Sequence, residues 1–198
     1  MSDDIRWHHG SVPRSIRQQI SGGPGVTVWL TGLSGSGKST IAFEVERRLI
    51  ASGRAAYVLD GDNLRHGLNR DLGFSAEDRS ENVRRVGEVA RLIADAALVV
   101  LVPIISPYLE DRRRAREAHR EAGIPFLEVH VSTPLEECER RDPKGLYAKA
   151  RSGALPGFTG VDDPYEEPED PDVVLNAAVD DVDTCVDTML QRLSNADG

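Results

Sequence analysis

The chain has 198 residues, with 24 Lys and Arg against 33 Asp and Glu, for a formal charge of −9. That length holds one domain with a sizeable core and short appendages, and the acidic balance argues against a general nucleic-acid binder while leaving room for a local basic site. No apolar run approaches the roughly 20 residues of a membrane span, and MSDDIRWHHG is not a signal peptide, so a cytoplasmic protein with reduced thiols at Cys138 and Cys185 is expected.

Residues 1–25 are polar, end in Ser-Gly-Gly-Pro-Gly and read as an N-terminal arm ahead of a domain over 26–198. His8 and His9 are adjacent with no carboxylate cluster nearby, so no metal site is expected of them. The apolar run Val26–Leu30 then leads into Gly32-Leu33-Ser34-Gly35-Ser36-Gly37-Lys38-Ser39-Thr40, followed by Ile41, Val45 and Leu49 at helical spacing. Strand, glycine-rich turn and helix form the context in which GxxxxGK[ST] is a phosphate-binding loop. Its glycines let successive N–H groups point inward, and the helix adds the positive end of its dipole. Lys38 is placed to reach the β- and γ-phosphates, and the Ser39 hydroxyl to ligate Mg²⁺. A nucleoside triphosphate is the expected ligand.

After Gly53, Ala55–Leu59 reads as a second buried strand that runs into Asp60-Gly61-Asp62-Asn63. Acidic residues just past a strand sit at the carboxyl edge of a parallel sheet, where ligands bind, so Asp60 and Asp62 should face the triphosphate. The polar stretch from Gly67 to Arg79, with Phe74 exposed, reads as an acceptor-binding flap. A helix is expected from Ser80, capped by Asp78 or Ser80, with Val83, Val86, Ala90, Ile93 and Ala97 as its apolar stripe. Leu98–Ile105 is a central strand ending at Ser106-Pro107-Tyr108, Asp111–Ala122 a charged surface helix, and Pro125–Val131 the next strand. A short helix over Leu135–Arg140 enters a basic, glycine-dotted segment with weak core periodicity, read as a mobile lid over about 138–160. The acidic, proline-rich stretch Pro164–Pro171 is a connector. Asp172–Asn176 supplies a last strand, and Val182, Val186, Met189 and Leu193 mark the closing helix. Alternating strands and helices predict a doubly wound α/β fold, a three-layer α/β/α sandwich with a mainly parallel sheet.

Among phosphate-loop proteins, a GTPase switch needs a guanine-reading Asn-Lys-x-Asp after a strand, and none is present. A motor or transporter ATPase needs an apolar strand ending in aspartate, whereas LVVLVPII ends in Ser-Pro. An acidic acceptor side with a basic lid fits a small-molecule kinase, its acceptor left open by the pattern.

The segments GLSGSGKST, LDGDNLRHGLNRDLGFSAEDRSENVRRVGEVARL, ISPY, RDPKGLY and GFTGVDDPYEEPE, in this order, closely resemble adenylylsulfate kinase over roughly 29–175. The resemblance implies ATP with Mg²⁺ as donor and adenosine 5′-phosphosulfate as acceptor, phosphorylated on its ribose 3′-hydroxyl. It places ATP on Gly32 to Thr40, with Ser39 and Asp60 at the metal and Asp62 favoured to receive the hydroxyl proton. Acceptor contacts carry over to Asp62, Arg65, Phe74, Arg79, Asn82, Ile105 and Ser106, and from the lid to Lys144, Gly157 and Phe158. Phe74 and Phe158 offer faces for adenine and the arginines offer forked donors. Arg141 is the candidate for stabilising charge on the transferred phosphoryl group. Ser106 matches a position regarded in the family as a phosphoserine intermediate, although direct in-line transfer and a hydrogen-bonding role fit it as well. A homodimer and a functional partner in sulfate adenylyltransferase are the assemblies implied. LEDRRRARE and Asp162-Asp163-Pro164 depart from the family pattern, the latter with an expected effect on lid stiffness.

Overall fold

The computed structural model describes residue 6, residue 8 and residues 10–196; His9 and most of MSDDIRWHHG lie outside the described residues. Five parallel strands form one sheet in the order β2-β3-β1-β4-β5. In chain order the elements are α1 (Arg14–Ser21), β1 (Val26–Thr31), α2 (Lys38–Ala51), β2 (Ala56–Val58), α3 (Gly61–Arg65), α4 (Ala76–Asp95) and β3 (Val99–Pro103). There follow α5 (Leu109–Glu121), β4 (Phe126–Val131), α6 (Leu135–Arg141), α7 (Leu146–Arg151), β5 (Val173–Leu175) and α8 (Val182–Ala196).

β1 lies at the centre with every residue buried, paired with β3 (Val28 opposite Leu101) and with β4 (Val28 opposite Leu127). Alternation along β1 sorts its side chains into two cores. Val26, Val28 and Leu30 meet Ile41, Val45 and Leu49 of α2 and Val186, Met189 and Leu193 of α8. Trp29 faces the other way, toward Val83, Val86 and Ala90 of α4 and Ala115 of α5. Helices on both faces of a parallel sheet make the three-layer sandwich expected from the alternating pattern. β2 is an edge strand, and its Val58 N–H donates to the Glu46 carboxylate of α2 at 2.8 Å.

The structure corrects three readings of the sequence. α4 begins at Ala76 and not at Ser80, because the Ser75 hydroxyl accepts the Asp78 N–H as its N-cap; Asp78 instead accepts the Gly73 N–H. α5 is no plain surface helix. Asp111, Arg112 and His119 are buried on its inner face, where Ser80 donates to Asp111 at 2.6 Å and His119 meets Thr27 at 2.9 Å. The lid also has a core of its own, in which Cys138, Tyr147 and Phe158 are buried together with Leu33, Leu135 and Leu146 packed around them. Both cysteines are free and buried. Among the described residues no helix is long and apolar enough to cross a membrane.

Candidate active site

Parallel strands bring the loops that follow β1, β2 and β3 to one edge, and a cavity of about 950 Å³ opens there under α6, α7 and the segment after them. The phosphate loop forms its floor. Gly32 has φ +147°, and a Cβ there would stand 2.6 Å from the Val131 carbonyl, so only glycine lets the loop leave β1 so close to β4. Gly37, φ +105°, turns the chain into α2. Thr133 braces the loop from β4 by donating to the Ser36 carbonyl at 2.8 Å. Lys38 is buried and folds back on the loop, donating to the carbonyls of Gly32 (2.9 Å) and Leu33 (2.6 Å). Burial lowers its pKa from 10.5 to about 8. An ammonium so desolvated gains strongly from an anion delivered to the loop.

The two aspartates after β2 differ in environment. Asp60 is buried and caps α3, its Oδ1 accepting the N–H groups of Asp62 and Asn63 and its Oδ2 accepting the Ser39 hydroxyl at 2.8 Å. Two hard oxygen donors brought together beside the phosphate loop fit a divalent cation such as Mg²⁺. Asp62 stands two-thirds exposed at the cavity mouth, where Lys144 of the lid forms an ion pair with it. Among the described residues no group of three or more His, Cys, Asp or Glu converges as a metal centre.

The opposite wall comes from α3, α4 and the end of β3. Arg65 donates to the carbonyls of Leu72 and Gly73, and its guanidinium lies 4.3 Å from the Phe74 ring centroid, leaving Phe74 otherwise exposed. Asn82 is buried and accepts the Asn69 amide at 3.0 Å. Arg79 is the link to the lid. Its guanidinium donates to Thr159 Oγ1 and the Gly157 carbonyl and lies 3.2 Å from Asp163. Asp162 accepts the N–H groups of Gly157 (2.7 Å) and Phe158 (2.6 Å), so the departure Asp162-Asp163 organises the lid's return. Phe158 lies edge-on to Tyr147 at 5.0 Å and is mostly buried in the lid core, offering only part of its ring to the cavity. Arg141, at the end of α6, is held by Glu137 (2.8 Å) and the Ala177 carbonyl (2.5 Å) beside the phosphate loop.

Ser106 has φ +42° and is buried. Its hydroxyl accepts the Trp29 indole N–H at 3.1 Å and donates to Thr31 at 3.0 Å, while Thr31 donates to the Ile105 carbonyl at 2.7 Å. These bonds tie the hydroxyl into the sheet. The sequence-predicted residues therefore surround one cavity, except Gly32, Leu33 and Ser36 of the phosphate loop, which do not line it. Reading the sequence missed Thr159, Leu155, Pro156 and His66 as lining; none carries a periodic signal, and Thr159 is found only through its bond to Arg79.

The family model for adenylylsulphate kinase matches residues 24–176. The chain belongs to the adenylylsulfate kinase family. It is 50% identical over 193 residues to an adenylyl-sulfate kinase of Clostridium kluyveri, covering 98% of this chain and 96% of that one. It is 63% identical over 151 residues to the bifunctional enzyme CysN/CysC of Mycobacterium tuberculosis, a match to 76% of this chain and 25% of that one. Among solved structures, the Mycobacterium tuberculosis APS kinase CysC in complex with AMPPNP and APS superposes with a TM-score of 0.85 at 56% identity, covering 87% of this chain and 99% of that one. Within this family the divergent LEDRRRARE segment folds as the first nine residues of α5, with three of them, Asp111, Arg112 and Ala115, buried on its inner face.

Proposed function

We propose that the chain binds ATP on the phosphate loop and adenylyl sulfate against the Arg65–Asn82 wall, and transfers the γ-phosphate to the ribose 3′-hydroxyl. It is an adenylylsulfate kinase, making 3′-phosphoadenylyl sulfate and ADP. The observation that carries the reading is the single cavity in which the phosphate loop, the Asp60–Asp62 pair and the lid's Lys144 and Arg141 converge.

The chemistry follows from the environments. Lys38 and the loop N–H groups cradle the β- and γ-phosphates, with Gly32 to Thr40 forming the donor site. Ser39 and Asp60 would hold Mg²⁺, which would supply charge neutralisation for the triphosphate. Asp60 already has both oxygens engaged, whereas Asp62 accepts from the lid alone and is the better group to receive the 3′-hydroxyl proton. Lys144 then leaves Asp62 for the phosphosulfate, and Arg141 faces the transferring phosphoryl group. Ser106, bonded to Trp29 and Thr31, acts as wall rather than nucleophile in this reading. Phe74 offers the open aromatic face for adenine, with Gly157 and Phe158 closing over it.

The test is ADP release by purified protein with Mg·ATP, with and without adenylyl sulfate, and mass identification of the product. Acceptor-dependent release with one added phosphate on adenylyl sulfate is expected; nucleotide binding without transfer would overturn the acceptor assignment. A homodimer is proposed as the assembly, to be read by sedimentation velocity. Coupling to a sulfate adenylyltransferase is proposed from the kinase-like segment within the bifunctional mycobacterial enzyme.

A further inference from the structure

α5 is rich in arginine, and one of these arginines is almost inaccessible. Arg112 is 1% exposed, yet its guanidinium is used in three directions. Nε donates to Glu128 on β4 at 2.8 Å, Nη1 to the Ser106 carbonyl at 2.7 Å, and Nη2 to the Glu166 carbonyl at 2.7 Å. The guanidinium also lies 5.9 Å from the Tyr165 ring centroid.

These partners belong to three segments that must agree for the cavity to have its shape. Ser106 holds a left-handed backbone, which a residue with a Cβ keeps only when its surroundings impose it. It ends the wall that also carries Ile105. Glu166 is the root of the lid's return. Its N–H donates to the Pro107 carbonyl at 2.9 Å and its carboxylate accepts the Leu109 N–H at 2.6 Å. Upstream of it, Tyr165 meets Thr31 at 3.0 Å, and Asp163 pairs with Arg79. One planar fork thus locks the wall at Ser106 to the lid's root and anchors both to the sheet through Glu128. Three donors in fixed directions suit arginine and not lysine, whose ammonium is a single compact charge.

Stability alone does not demand such a group, since buried ion pairs are often replaceable by apolar side chains at no cost. We propose that Arg112 is a positioning residue for the acceptor side: it sets the Ser106 backbone and the lid root so that wall and lid close in register on adenylyl sulfate. The proposal rests on the kinase reading above.

The test compares wild type, R112K and R112M/E128Q, the last removing a buried carboxylate that would otherwise keep only Arg116, at 3.4 Å, as its ionic partner. Steady-state constants are measured for both substrates, together with calorimetric binding of adenylyl sulfate and thermal melting. R112K is expected to raise KM and Kd for adenylyl sulfate about tenfold, through loss of charge-assisted bonds to the wall and lid root, with KM for ATP nearly unchanged. R112M/E128Q is expected to melt close to wild type and still show the weakened acceptor binding. Unchanged acceptor constants in folded variants, an equal rise for both substrates, or recovery of acceptor binding in the double variant would each overturn the proposal. A wild type that neither binds nor phosphorylates adenylyl sulfate would overturn the kinase reading, and this proposal with it.

Discussion

The floor and the roof of the cavity are built from different materials. The floor hangs from β1, β3 and β4, every residue of which is buried, and the phosphate loop continues that stiffness. The roof, α6 to the Asp162 turn, has three buried hydrophobic residues of its own and owes much of its order to polar contacts: Asp162 on two N–H groups, Arg79 on Thr159 and Gly157, and Lys144 on Asp62. A floor anchored by apolar burial keeps its geometry whether or not nucleotide is bound. A roof held by hydrogen bonds and one exposed ion pair exchanges partners when an anionic ligand offers better ones.

Substitutions that strike each part differently sharpen the contrast. Lys38→Met removes the floor's one buried ammonium and is expected to lower kcat by about 10³-fold, with melting temperature unchanged or raised because a desolvated charge is gone. Rapid-quench assays and thermal melting read both. Asp62→Asn is expected to lower kcat by about 10²-fold with KM for ATP retained; a wild-type kcat would transfer the proton-accepting role elsewhere. Leu30→Ala in the floor and Phe158→Ala in the roof form the direct pair. The first should lower global stability by about 2–5 kcal/mol and leave the acceptor KM near wild type. The second should speed proteolytic cleavage within 142–160 and raise the acceptor KM severalfold, with a smaller loss in chemical denaturation. Equal global losses would show that roof and floor unfold as one unit. Lys144→Ala should have the smallest effect on stability, under about 1 kcal/mol, because both partners of its ion pair are more than half exposed.

The same contrast decides what could be read without coordinates. Floor elements announce themselves because their reasons are local: β-branched runs for β1 and β3, glycines where φ must be positive, aspartates where a strand ends. Roof elements and the inner face of α5 have reasons that are remote. Arg112 and His119 look like any other charged or polar helix residues until Glu128, Ser106 and Thr27 are placed beside them. Cys138, Tyr147 and Phe158 share no period, since they come from α6, α7 and a loop, and only folding gathers them. The start of α4 was misplaced because Ser75 and Ser80 are both acceptable caps, and the choice rests on how Gly73 and Asp78 close the preceding turn.

The bond from Val58 N–H to Glu46 has a meaning outside catalysis. β2 is the sheet's open border, and alternate N–H groups of a border strand point outward as a template for any extended peptide, including the same strand of an unfolding copy. Glu46 fills that vacancy with a carboxylate from the protein's own α2, which satisfies the donor and sets a negative charge where a foreign strand would dock. Shortness works in the same direction, since this edge is only three residues long.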